Sequence, residues 1–166
     1  MYKLLPILLF AFGVALTTED IYDNSYALII GIDKYENVSN LDYAVEDAKS
    51  IKKMLIDKFQ FSNDKITLLL NKDATYRKIK KSLSKVTRQA GDNDRILIFF
   101  SGHGETISLP EGGAMGFLIP VDGEQDDLYG TSFEMDELRK VSSLSKAKHM
   151  LYLIDACYGG LAATNT

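Results

Sequence analysis

The chain has 166 residues, 46% hydrophobic and 25% charged, and carries a net charge of −4. That length and apolar content suit one globular domain with a sizeable core, and the mixed Lys, Asp and Glu stretches, with no dense basic stripe and interleaved aromatics, exclude a nucleic-acid grip. The single cysteine, Cys157, excludes an intrachain disulfide.

Met1-Tyr2-Lys3, an apolar run from Leu4 to Leu16 and then polar Thr17-Thr18-Glu19-Asp20 have the layout of a secretory signal. The run is short for a bilayer span. Residues 1–17 are therefore read as a signal peptide, or as a hydrophobic anchor if uncleaved. The expected location is secreted, lumenal or periplasmic, with membrane anchoring as the alternative. Residues 22–166 form the expected domain.

Tyr26 to Ile32 is a near-continuous apolar run, the pattern of a strand covered on both faces. Leu41, Ala44, Val45, Ala48, Ile51 and Leu55 then recur at three- and four-residue spacing, which predicts a helix. Ile66 to Leu70 is a second short strand. Tyr76, Ile79, Leu83, Val86 and Ala90 predict a second helix, ending at the turn Gly91-Asp92-Asn93-Asp94. Ile96 to Phe100 and Met150 to Ile154 read as third and fourth buried-type strands, with a weaker helical stretch from Met135 to Leu144. In the long Gly- and acid-rich connection between them, Gly116 to Pro120 reads as one arm of a small hairpin. Strands alternating with helices predict a three-layer α/β/α sandwich around a mostly parallel sheet.

In such sheets ligands bind beyond the carboxyl ends of the strands. After the third strand comes Ser101-Gly102-His103-Gly104, and after the fourth Asp155-Ala156-Cys157-Tyr158-Gly159-Gly160. If the two strands are neighbours, about 5 Å apart, an imidazole and a thiol face each other across a shallow cleft. Glycines beside His103 allow a sharp turn and leave peptide N–H groups to build an oxyanion hole. Each residue alone also reads as a turn histidine or a buried apolar filler; together, at two strand ends, they read as a dyad. His149 falls at the start of the fourth strand, on the opposite edge, and reads as structural.

These two segments, with Tyr26 to Tyr35, Leu41 to Ala48 and Phe117 to Asp122, resemble the caspase and metacaspase peptidase family, from about Tyr26 to the end of the chain. The resemblance implies a cysteine endopeptidase in which Cys157 is the nucleophile, His103 the general acid and base, and the backbone N–H groups of Gly104 and Cys157 the oxyanion donors. Each such donor is commonly worth about 3 kcal/mol. Asp47 and Asp155 resemble the acidic pocket pair of metacaspases, implying cleavage after Arg or Lys. Their alternative reading is structural: Asp155 ties down the Cys157 loop and Asp47 is a solvated helix residue.

Gly159 stands where many relatives have Ser. Some metacaspases need calcium, but Ala114-Met115-Gly116 supplies no carboxylate and Asp136 alone is a poor site, so no cofactor and no metal is expected. The chain stops nine residues after Cys157, where the family continues through further strands. The domain is therefore read as incomplete at its C-terminus, with a bare apolar edge that a missing C-terminal segment or a partner chain would cover. The expected substrate is a polypeptide. The competing functions are a catalytically inactive caspase-like regulatory or binding module and a legumain-type peptidase. A nucleotide-binding protein is disfavoured because Gly31-Ile32-Asp33 is not a phosphate loop.

Overall fold

A computed structural model of the chain describes residues 21–156. Four parallel strands form the central sheet: β1 (Ser25–Gly31), β2 (Ile66–Leu70), β3 (Arg95–Ser101) and β7 (His149–Asp155), in the order β2-β1-β3-β7. Three further short strands, β4 (Gly104–Ser108), β5 (Ala114–Leu118) and β6 (Phe133–Glu134), make a separate antiparallel sheet in the order β4-β5-β6.

Period-two alternation sends neighbouring side chains of each central strand to opposite faces. Ala27, Ile29, Leu97 and Phe99 pack with Ala48 and Leu55 of helix α1 (Ala44–Phe59). Leu28, Ile30, Ile96, Ile98 and Phe100 pack on the other face with Ile79, Leu83 and Val86 of α2 (Tyr76–Gln89) and Leu138 of α4 (Met135–Ser143). A one-turn helix, α3 (Leu128–Thr131), precedes β6. The result is the expected three-layer α/β/α sandwich. Because β1 and β3 are covered on both sides, they are the strands whose sequences read as unbroken apolar runs.

The helix predicted from Leu41 starts three residues later. Leu41 N–H donates to the Asp33 carbonyl at 2.8 Å, holding Leu41 in the connection after β1, and the Asp33 carboxylate accepts from Val45 N–H at 3.2 Å. A carboxylate there satisfies an orphan donor and complements the helix dipole. It also pins the start of α1 to the carboxyl end of β1. α1 passes so close to that strand that a Cβ on Gly31 would lie 2.5 Å from the Ala44 carbonyl oxygen and 2.6 Å from the Ala48 Cβ. Gly31→Ala is therefore expected to lower stability by about 1–3 kcal/mol through overpacking, measured as a shift in the urea midpoint at unchanged slope.

The fourth strand, apolar as a buried strand is, packs fully on one face only. Among the described residues β7 is an edge strand, and Leu151 is 52% exposed. The α2 and α4 side is packed, with Met150, Tyr152 and Ile154 against the core. On the other face α1 stops short, leaving an apolar groove of about 360 Å³ between Met54, Phe59, Phe61, Leu151 and Leu153.

Candidate active site

β3 and β7 are neighbours over their whole length, with Ser101 opposite Asp155. Two further bonds extend the join past the strand ends: Gly102 N–H donates to the Asp155 carbonyl at 3.2 Å, and Ser101 Oγ donates to Asp155 Oδ2 at 3.2 Å. His103 follows Ser101 by two residues, just as Cys157 follows Asp155 in the sequence. Cys157 and Gly159 lie outside the described residues, as do residues 1–17; the described part of the thiol-bearing segment ends at half-buried Ala156.

His103 is held at three points. Its Nε2 lies 2.8 Å from the main-chain oxygen of Ser39 and 3.4 Å from Ser39 Oγ. A carbonyl can only accept, so Nε2 carries the proton and, in the neutral ring, Nδ1 is the basic nitrogen. The backbone N–H of His103 donates to Tyr35 Oη at 2.8 Å, and the two rings lie 4.9 Å apart, tilted by 50°. The His103 carbonyl accepts from Ile119 N–H at 3.0 Å. Burial pushes the Tyr35 phenol well above its usual range, so it stays neutral and keeps both its acceptor and its proton.

Gly102 is dictated by this packing, since a Cβ there would meet Tyr35 Oη at 2.5 Å and the Phe100 ring at 3.0 Å. Gly104 opens β4 opposite Leu118. Because Ile119 N–H reaches back to His103 O, that pair is a non-hydrogen-bonded one, and the N–H of Gly104 points out of the ladder. This is the orientation an oxyanion donor needs.

Asp47 and Asp155, the two aspartates expected to bind substrate, sit at the same end of the sheet on different elements. Asp155 closes β7 and is exposed, with one carboxylate oxygen engaged by Ser101. Asp47 is exposed in the first turn of α1. No hydrogen bond or ion pair joins them among the described residues. His149 lies at the far edge, opposite Arg95, with Nδ1 2.9 Å from Tyr22 Oη. Among the described residues no three His, Cys, Asp or Glu side chains converge.

Sequence alone does not single out Tyr35, Ser39 or Ser101, which hold His103 and Asp155 in place. Tyr35 lies inside the motif that carried the resemblance, four residues beyond the end of β1. Ser39 acts through its backbone oxygen, which no residue type announces.

Residues 24–165 match the family model described as the caspase domain. Metacaspase-7 of Arabidopsis thaliana is 30% identical over 106 residues, covering 61% of this chain and 24% of that protein. Metacaspase-1 of Eremothecium gossypii is 26% identical over 153 residues, covering 84% of this chain and 32% of that protein. The chain thus spans about a quarter to a third of these relatives. Its fold is similar to the structure of pro-sf-caspase-1, with a TM-score of 0.53 and 15% identity over 98% of this chain and 59% of that one. With a matching domain across nearly its whole length and strand ends arranged as that fold requires, the chain belongs to the caspase-domain family of cysteine peptidases.

Proposed function

We propose that the chain is the catalytic portion of a metacaspase-like endopeptidase that cleaves polypeptides after Arg or Lys, with Cys157 as nucleophile and His103 as general acid and base. The observation that supports this reading best is the Nε2 contact with the Ser39 carbonyl, which leaves the other ring nitrogen to serve proton transfer at the end of the strand beside β7.

In this reading the Cys157 thiol gives its proton to Nδ1, and the thiolate attacks the scissile carbonyl carbon. The C=O electron pair moves onto oxygen, where the N–H groups of Gly104 and Cys157 hold it. Collapse breaks the C–N bond as the imidazolium protonates the departing amine, leaving a thioester. Water, giving a proton to the same imidazole, then attacks the thioester and releases the acid, and the thiolate takes the proton back. Asp47 and Asp155 receive the cationic side chain that precedes the scissile bond, Asp155 through the carboxylate edge that Ser101 leaves open.

The open edge of β7 and the groove beside it favour a further segment of the natural product, or a partner chain, pairing there, since an exposed apolar edge invites strand addition. The apolar run from Leu4 to Leu16 supports export or anchoring. The test is cleavage by the full-length protein of fluorogenic peptides that differ only in Arg or Asp before the scissile bond. Arg cleavage is expected. Preference for Asp would refute the acidic pocket, and a folded protein that cleaves neither would make the inactive regulatory module the better reading.

A further inference from the structure

Among the described residues, the strand that leaves His103 has one unpaired side: β4 pairs with β5 alone, as the edge of its three-stranded sheet. Two contacts fix the phase of that ladder: Ile119 N–H to His103 O at 3.0 Å at one end and Leu109 N–H to Gly113 O at 3.0 Å at the other. Both require Gly104, Thr106 and Ser108, opposite Leu118, Gly116 and Ala114, to be the non-hydrogen-bonded positions. Their N–H and C=O groups therefore point off that edge, at intervals of about 7 Å, with Gly104 buried, Thr106 half-buried and Ser108 exposed.

Thr106 shows this directly. Its N–H turns away from β5 and donates to the neighbouring carboxylate, Glu105 Oε1, at 3.1 Å. An exchangeable side-chain oxygen thus occupies the position where a paired strand would offer a carbonyl.

We propose that the open edge of β4 binds the part of the polypeptide substrate that follows the scissile bond, as an added strand running parallel to β4. The assignment rests on the peptidase reading above. Its register follows from parallel pairing, in which one residue bonds to two alternate residues of its neighbour. With the scissile carbonyl on Gly104 N–H, the amide N–H of the second residue after the bond donates to Gly104 O. The carbonyl of that residue displaces Glu105 from Thr106 N–H, and the Thr106 carbonyl and Ser108 N–H continue the ladder. An antiparallel strand would instead carry the residues before the bond along β4. The parallel direction is favoured because the departing amine must lie at His103, from which β4 starts, whereas Asp47 and Asp155 draw the preceding side chain toward α1 and β7. Recognition here is by main chain, so it is tolerant of sequence.

Thr106→Pro tests this cleanly. The lost N–H belongs to no β4–β5 bond, proline is accepted on an edge strand with that side outward, and the constraint it places on Glu105 favours the extended backbone already present. Two substrates share the same acyl-side sequence, one with a small fluorogenic amide as leaving group and one with four residues there. The ratio of their kcat/KM values, extended over short, is expected to fall about tenfold in full-length Thr106→Pro. An unchanged ratio would overturn the proposal. As a second measurement, needing no variant, N-methylation of the second leaving-side amide should lower cleavage by the unsubstituted protein several-fold, and no effect would overturn it equally. If the unsubstituted protein cleaves neither substrate, the peptidase reading itself falls and takes this one with it.

Discussion

Cys157→Ala is expected to remove peptide-bond cleavage altogether, and His103→Ala to lower kcat/KM by about 10³-fold. The first change deletes the only atom that can form the thioester. The second deletes both the base that activates the thiol and the acid that protonates the leaving amine, contributions that together span about 10²–10⁴ in rate. A second readout separates this chemistry from a folding defect. With a single cysteine in the chain, the rate of iodoacetamide alkylation reports Cys157 alone. An imidazolium at hydrogen-bond range lowers a thiol's pKa and raises its thiolate fraction below neutral pH, so His103→Ala should slow alkylation at pH 6 about tenfold, after allowing for the lower intrinsic nucleophilicity of a low-pKa thiolate. Full cleavage by either variant, or alkylation unchanged by loss of the imidazole, would sink the dyad.

The parts of this fold that could be read from sequence are those with long, regular burial. β1 and β3 are covered by α1 on one face and by α2 and α4 on the other, so Leu28, Ile29, Ile30, Ile96, Ile98 and Phe100 leave unbroken apolar runs. β7 has the same composition but a different circumstance: Leu151 faces the open groove, and nothing in an apolar run says whether its neighbour is present. β6, with two residues, and α3, with four, each span about one structural period, too little for a repeat to show. Of the site, His103 was visible because its glycine neighbours and strand-end position are sequence features. The groups that orient it were not. Ser39 contributes a carbonyl, and Tyr35 contributes a hydroxyl from a chain reversal whose shape depends on Asn40 Oδ1 accepting from Tyr35 N–H and on Val121 O accepting from Glu36 N–H. Such contacts arise from tertiary folding and have no spacing of their own.

Asp155 has two possible jobs, and Asn at this position separates them. As a tether, its carboxylate accepts from Ser101 Oγ and holds the end of β7 to the end of β3; an amide oxygen accepts that bond equally well, so Asp155→Asn would leave activity nearly intact while Asp155→Ala would not. As part of a cation pocket with Asp47, what matters is charge, and Asp155→Asn is costly. A charge-assisted hydrogen bond contributes about 1.5–3 kcal/mol, so kcat/KM for an Arg substrate is expected to fall about 10- to 100-fold in Asp155→Asn. Asp47, exposed in the first turn of α1, is expected to give a smaller loss in Asp47→Asn, because solvent competes for its charge. Replacing Arg by its neutral isostere citrulline completes a double-mutant cycle. The unsubstituted protein should lose activity on citrulline, whereas the Asp47→Asn/Asp155→Asn double variant should barely distinguish citrulline from Arg, since no carboxylate is left to favour the cation. A double variant that still prefers Arg over citrulline as strongly as the unsubstituted protein would move the specificity pocket elsewhere and leave Asp155 as the residue that locks two strand ends together.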